Sequence, residues 1–338
     1  GVSFMNLSVT SSPDVLPASA DQIRAEIILI AGATASGKSS LALSLASEIT
    51  TAGGQACIIN ADSMQVYREM QVLTARPSIE EVKQCPHELY GHVSAGDEYN
   101  VGRWLSEVQA AIARAKNAGQ IPILVGGTGL YFKCLTEGIA DIPNIPEDIR
   151  KAVRARHEAE GTYACHAALK AIDPQAYQRL EATDPQRVLR ALEVYEATGR
   201  CLSDWQSDPV IPPITAPMLK ILLTPSREWL YARCDSRFEA MIAEGALEEA
   251  SAMAELGLSD TLPAMKALGL KELLALENNE ISLEEAQLAA QQATRRYAKR
   301  QMTWFRNQMI SWNSISEQEY YNKTSYFLSN IIKMLDPV

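Results

Sequence analysis

At 338 residues, with 47% apolar and 21% charged side chains, the chain is long enough for one large core or two modest ones. A net charge of −10 excludes general polyanion binding, so a nucleic-acid partner would have to meet a local basic surface. Six scattered cysteines with no C-x-x-C pair argue against a disulfide framework or zinc site, and no apolar run is long enough to span a membrane, so a cytoplasmic protein without a membrane partner is expected.

Residues 1–25 contain Ser, Pro and Asp without periodicity and read as a disordered tail. Next comes the buried-strand pattern Ile27-Ile28-Leu29-Ile30-Ala31, followed by Gly32-Ala33-Thr34-Ala35-Ser36-Gly37-Lys38-Ser39, which fits G-x-x-x-x-G-K-[ST] throughout. Loops of this kind bind the phosphates of nucleotides such as ATP. The backbone amides of Gly32, Thr34, Ala35, Ser36 and Gly37 are placed to curl around phosphate, Lys38 to neutralise it and Ser39 to hold Mg²⁺. Leu41, Ala42, Leu45, Ala46 and Ile49 then share one helical face.

A second strand, Ala56-Cys57-Ile58-Ile59-Asn60, runs into Asp62-Ser63-Met64-Gln65-Val66-Tyr67. In an open parallel sheet ligands gather beyond the carboxyl ends of strands, which places Asp62 on the rim of the phosphate loop. An Asp-Ser pair also caps turns, and position alone leaves both roles open. From Thr74 to Asn100 the pattern is irregular and reads as a long surface excursion. A helix over Val101 to Asn117 leads to a third strand, Ile121 to Val125, ending in Gly126-Gly127-Thr128-Gly129-Leu130-Tyr131. A motor ATPase would carry an Asp at that strand end, and its absence argues against nucleotide hydrolysis. The glycines allow close approach to the backbone, and Thr128 supplies a neutral hydrogen-bonding group.

Between Asp141 and Pro217 strand–helix alternation gives way to helices, with Asp173-Pro174 and Asp184-Pro185 as N-cap signals. This region, 141–217, is expected to be a helical insertion in a core formed by 26–140 and 218–338. It concentrates Arg150, Lys151, Arg154, Arg156, Arg179, Arg187 and Arg190, which raises a polyanion partner. Leu219 to Leu223 resumes the sheet. Arg227 to Leu256 reads as one helical stretch with Arg233 and Arg237 on one face, and 265–271 as a basic, glycine-containing bend. Ser282-Leu283-Glu284-Glu285 is a capping box opening a last long helix that turns basic at Arg295-Arg296-Tyr297-Ala298-Lys299-Arg300, ahead of Trp304 and Phe305. Bases interleaved with aromatics there point to a phosphate- or RNA-facing surface.

Taken together, the phosphate loop, Asp62 to Tyr67, Pro122 to Tyr131, Asp184 to Val194 and Ala293 to Gln301 with Thr303-Trp304-Phe305 resemble the tRNA dimethylallyltransferases, also called tRNA isopentenyltransferases, of the bacterial type. The resemblance implies an α/β fold with a P-loop NTPase or kinase-like parallel sheet flanked by helices, and an all-helical insertion that grips the tRNA anticodon stem-loop. It implies transfer of the dimethylallyl group of dimethylallyl diphosphate to N6 of the adenosine at position 37, with Mg²⁺ as cofactor and the protein acting as a monomer. Asp62 would take the proton, Thr128 lie beside the base, and Arg237 reach the diphosphate with Lys38 and Ser39. RNA contacts carried over fall on Asp62, Ser63, Met64, Gln65, Thr128, Arg150, Gln186, Arg187, Arg190, Lys266 and Lys271. Leu270 departs from the family pattern, where many members carry an aromatic. The alternatives are an isopentenyltransferase acting on free adenine nucleotides, an ATP-using small-molecule kinase and a non-catalytic RNA-binding module.

Overall fold

The computed structural model describes residues 24–320 and 325–335, so the expected tail lies outside it save for its last two residues. The described chain falls into two compact units, one made of Glu137–Pro212 and the other of the flanking segments on both sides.

In the larger unit a six-stranded parallel sheet has the order β3-β2-β4-β1-β5-β6. β1 (Ile27–Ala31) leads through the phosphate loop into α1 (Lys38–Thr51), and β2 (Ala56–Asn60) into α2 (Ile79–Gln84). β3 (His87–Glu88), α3 (Val101–Asn117), β4 (Ile121–Gly126) and α4 (Gly129–Glu137) follow. Both faces of the sheet are covered, which is why β1 and β2 are apolar without alternation: Ile27 and Leu29 pack on one side, Ile28 and Ile30 on the other. The irregular stretch 74–100 contains more order than its pattern suggests. Ser78 forms a capping box with Glu81 at the start of α2, and two residues add β3 beside β2. Elements this short leave no readable period.

The smaller unit is helical, built from α5 (Glu147–Glu160), α6 (Thr162–Ile172), α7 (Pro174–Arg179), α8 (Pro185–Thr198) and α9 (Leu202–Ser207) around Val153, Cys165, Leu169, Val188 and Leu192. Asp173 and Asp184 cap α7 and α8 by accepting the Ala176 and Arg187 amides, each with proline opening the helix.

Beyond it lie β5 (Met218–Leu223), α10 (Arg227–Ala243) and α11 (Ala246–Glu255). The single helix expected over 227–256 is broken because Gly245 turns left-handed at φ 107° and starts the second piece. A 3₁₀ turn at Pro263–Lys266, α12 (Leu270–Glu277), α13 (Leu283–Gln308), β6 (Asn313–Ile315), α14 (Glu317–Tyr320) and α15 (Ser325–Lys333) complete the order. Leu270 is buried in the core, so this chain uses the position for packing. Among the described residues no helix is long and apolar enough to cross a membrane.

Candidate active site

Register brings the carboxyl ends of three strands to one rim, with Ala31 opposite Gly126 and Asn60 opposite Val125. The loops leaving these ends carry the phosphate loop, Asp62 and Thr128.

The phosphate loop is held on every side. Gly32 donates its amide to the Gly126 carbonyl at 3.3 Å, and Ser36 to the Ala33 carbonyl at 3.1 Å. Ala35 sits at φ 63°, a left-handed conformation that costs a non-glycine residue about 1–2 kcal/mol, and its carbonyl accepts Arg233 Nε of α10 at 2.8 Å. Arg237, one turn on, donates to the Thr34 hydroxyl. The Thr34 amide donates to Gln301 Oε1 of α13 at 2.9 Å. Gly37 at φ 90° then turns the chain into α1, whose first bond to the cap runs from the Leu41 amide to the Gly37 carbonyl, so the amides of Lys38 and Ser39 precede the helix's own ladder.

Lys38 Nζ donates to the Ala33 carbonyl at 3.1 Å. Burial lowers its pKa to about 8, against the pull of Asp62, and nearby Arg237 lowers it further. Arg237 is likewise lowered by burial and supported by Asp62. Cations and carboxylate, all half-buried, therefore lie in one another's field. Ser36 Oγ is buried with no partner, an orphan polar atom inside the loop.

Of the two roles left open for Asp62, the structure shows the cap, and it leaves the second carboxylate oxygen outside that cap. Oδ1 accepts the Met64 and Gln65 amides at 2.8 and 3.2 Å, which caps the turn. Oδ2 is on the Gly127 side, 3.6 Å from where a Cβ on that glycine would stand. The turn is fixed from behind by Asn60, whose Oδ1 accepts the Asp62 amide at 2.9 Å and whose Nδ2 donates to the Asp62 and Leu89 carbonyls. Thr128 Oγ1 accepts the Ser63 amide at 2.9 Å, tying the two strand-end loops together. Burial raises the hydroxyl pKa values of Tyr131 and Tyr297, the latter to about 12, and Asp62 adds to both, so these phenols stay neutral beside the carboxylate.

The glycines after β4 are explained by close approach. A Cβ on Gly126 would fall 2.0 Å from the Ala61 carbonyl oxygen, and one on Gly129 2.1 Å from the Trp304 ring. What passes near this backbone is the end of β2 and the side of α13.

Among the other residues singled out, Gln65 is buried and its Nε2 donates to the Thr74 and Ala75 carbonyls, while Ser63 and Met64 are half-buried. Lys266 and Lys271 are exposed on the 3₁₀ turn and α12. In the helical unit Gln186 and Arg187 are exposed on α8 and Arg190 is half-buried. Arg187 pairs with Asp184 at 3.5 Å, and Arg150 on α5 has a buried, unpartnered Nε. Sequence reasoning gave no role to Asn60, Arg233 or Gln301. A polar residue closing an apolar strand was the available sign for Asn60.

The Ser39 hydroxyl has no hydrogen bond among the described residues, and among them no cluster of three His, Cys, Asp or Glu side chains could cage a metal. A lone hydroxyl beside a phosphate loop fits Mg²⁺, which keeps waters and shares its ligands with substrate phosphates.

The family model for IPP transferase matches residues 65–308, and that for isopentenyl transferase residues 25–90. The tRNA dimethylallyltransferase of Parvibaculum lavamentivorans is 51% identical over 304 residues, 90% of this chain and 95% of the relative. Among solved structures, the tRNA isopentenylpyrophosphate transferase of Bacillus halodurans aligns at TM-score 0.63 and 29% identity, over 91% of this chain and 97% of that one. A eukaryotic dimethylallyltransferase described as acting on tRNA aligns at TM-score 0.77 and 26% identity, over 92% and 80%.

Proposed function

Because the chain belongs to the tRNA dimethylallyltransferase family and is therefore a prenyltransferase of tRNA, we propose that it moves the dimethylallyl group of dimethylallyl diphosphate to N6 of the adenosine beside the anticodon, position 37. One observation carries the reading. The phosphate loop and the Asp62 carboxylate open on the same rim, with Lys38 and Arg237 in the field of that carboxylate.

The bond between the donor carbon and the diphosphate oxygen breaks as the bond from N6 forms. Lys38, Arg237 and the amides opening α1 face the charge that grows on the departing diphosphate. Mg²⁺, held by Ser39 and phosphate oxygens, would add its charge to that stabilisation. The N6 lone pair is delocalised into adenine, which makes N6 a weak nucleophile, and forming the new C–N bond would leave the nitrogen cationic unless it sheds a proton. Asp62 Oδ2 accepts it, while Oδ1 stays on the Met64 and Gln65 amides and holds the carboxylate in place. Thr128 keeps the two loops in register. The exposed bases of the helical unit, with Lys266 and Lys271, supply phosphate contacts that offset the few kcal/mol needed to unstack the adenosine.

Mass spectrometry of tRNA incubated with the protein, Mg²⁺ and dimethylallyl diphosphate should find one prenyl group, at the position after the anticodon. Asp62→Asn should lower the transfer rate by 10²–10⁴-fold with stem-loop binding near normal. Equal turnover of free AMP and stem-loop RNA would overturn the tRNA reading.

A further inference from the structure

Gln301 is buried in the second half of α13, where a side chain of its kind must find a donor for its carbonyl and an acceptor for its NH₂. It finds them on two different loops. Oε1 accepts the Thr34 amide of the phosphate loop at 2.9 Å, and Nε2 donates to the Gly127 carbonyl at 2.9 Å. Only one orientation of the carboxamide serves both, since an N–H requires the oxygen and a carbonyl requires the NH₂. The same contact demands a glycine at 127, where a Cβ would stand 2.6 Å from Nε2.

Each loop is anchored to chemistry on its far side. The Thr34 hydroxyl holds Arg237, and Gly127 precedes Thr128, which binds the Ser63 amide next to Asp62. With dimethylallyl transfer to RNA as the reaction it serves, we propose that Gln301 is a positioning residue whose carboxamide sets the spacing between the diphosphate loop and the loop beside the acceptor base. It acts through Thr34 and Gly127. A displacement of a fraction of an ångström between nucleophile and leaving group is enough to slow such a reaction.

Two substitutions separate this role from mere packing. Gln301→Met keeps the volume and removes both hydrogen bonds. It should lower kcat at least tenfold and weaken inorganic diphosphate binding, read by calorimetry, at least threefold, while stem-loop RNA affinity stays within twofold. Gln301→Glu keeps an oxygen for Thr34 and loses the donor for Gly127 when ionised. Protonated, it regains one donor and one acceptor, the pattern of glutamine. The activity of Gln301→Glu relative to wild type should therefore rise at least threefold between pH 8 and pH 6. Asp62, Lys38 and Arg237 lie in one another's field on the loops that Gln301 joins, and Tyr297 stands one turn before it on α13; all four are present in both proteins, so the ratio removes the titration they have in the wild type.

A ratio that does not change with pH would overturn the proposal, as would a Gln301→Met protein within twofold of wild type in both kcat and diphosphate binding. Should Gln301→Met fail to fold, the pH ratio of Gln301→Glu decides alone. If wild type transfers no prenyl group to RNA, the reaction assigned above fails, whereas the diphosphate-binding series still decides the place of Gln301.

Discussion

At Lys38, burial has lowered the ammonium pKa to about 8, so the free protein sheds this charge within a workable pH range. The folded value lies below the unfolded one. Keeping the ammonium buried therefore costs stability below pH 8, and that cost fades as pH rises from 8 towards 10.5. Ligand binding runs the other way, because diphosphate needs the cation. The dissociation constant for dimethylallyl diphosphate should be flat below pH 8 and rise about tenfold by pH 9, one unit of pH being worth about 1.4 kcal/mol. Lys38→Arg should flatten that rise, since guanidinium stays charged. A wild-type constant unchanged from pH 7 to pH 9 would show that Lys38 does not carry the binding. The glycines give a prediction of another kind. Gly126→Ala would set a methyl 2.0 Å from a backbone oxygen, which has no rotamer to change, so destabilisation should reach or exceed about 3 kcal/mol in chemical denaturation. Gly129→Ala meets the edge of a half-buried Trp304 ring, which can shift, and should cost about 1–3 kcal/mol.

On the scale of elements, α13 links the parts of the site. It begins at the Ser282 capping box, presents Ala286, Ala290, Ala298 and Phe305 to the core, and brings Gln301 and Trp304 to the loops after β1 and β4. Ser282→Ala should cost about 1 kcal/mol in thermal or denaturant unfolding with little effect on kcat, because the cap lies turns away from Gln301. The cap of α13, the apolar face of α1 and the strand before the phosphate loop were legible in the sequence, since each repeats a local rule of spacing or capping. β3 and β6 were not, being two and three residues long and stabilised only by their neighbours. Gln301 escaped for a different reason. It is separated by 267 positions from the amide it binds, and no local pattern reports which buried polar side chain will meet which distant loop. Asp62 was half legible: its place at a strand end identified the rim, but only the structure divides its two oxygens between the cap and the open side.

For the molecule as a whole, an acidic chain that works on a polyanion must concentrate its bases, and the helical unit does this on α5 and α8. Arg150 and Arg190 have no ion-pair partner among the described residues, whereas Arg154, Arg156 and Arg187 face Glu147, Glu160 and Asp184. Log affinity for the anticodon stem-loop should therefore fall linearly with log salt. Arg150→Ala should reduce the steepness by about 0.7–0.9, the contribution of one phosphate contact. An unchanged slope would place Arg150 outside the RNA contacts. The bond between Thr34 and Gln301 also has a meaning in time. At roughly 5–20 residues per second, the ribosome needs on the order of 13–50 s to travel from one partner to the other. Throughout that interval the growing chain has its lysine and glycine loop but not the side chain that squares it to the acceptor side. Until residue 301 is made, the bond that joins the phosphate loop to α13 cannot form.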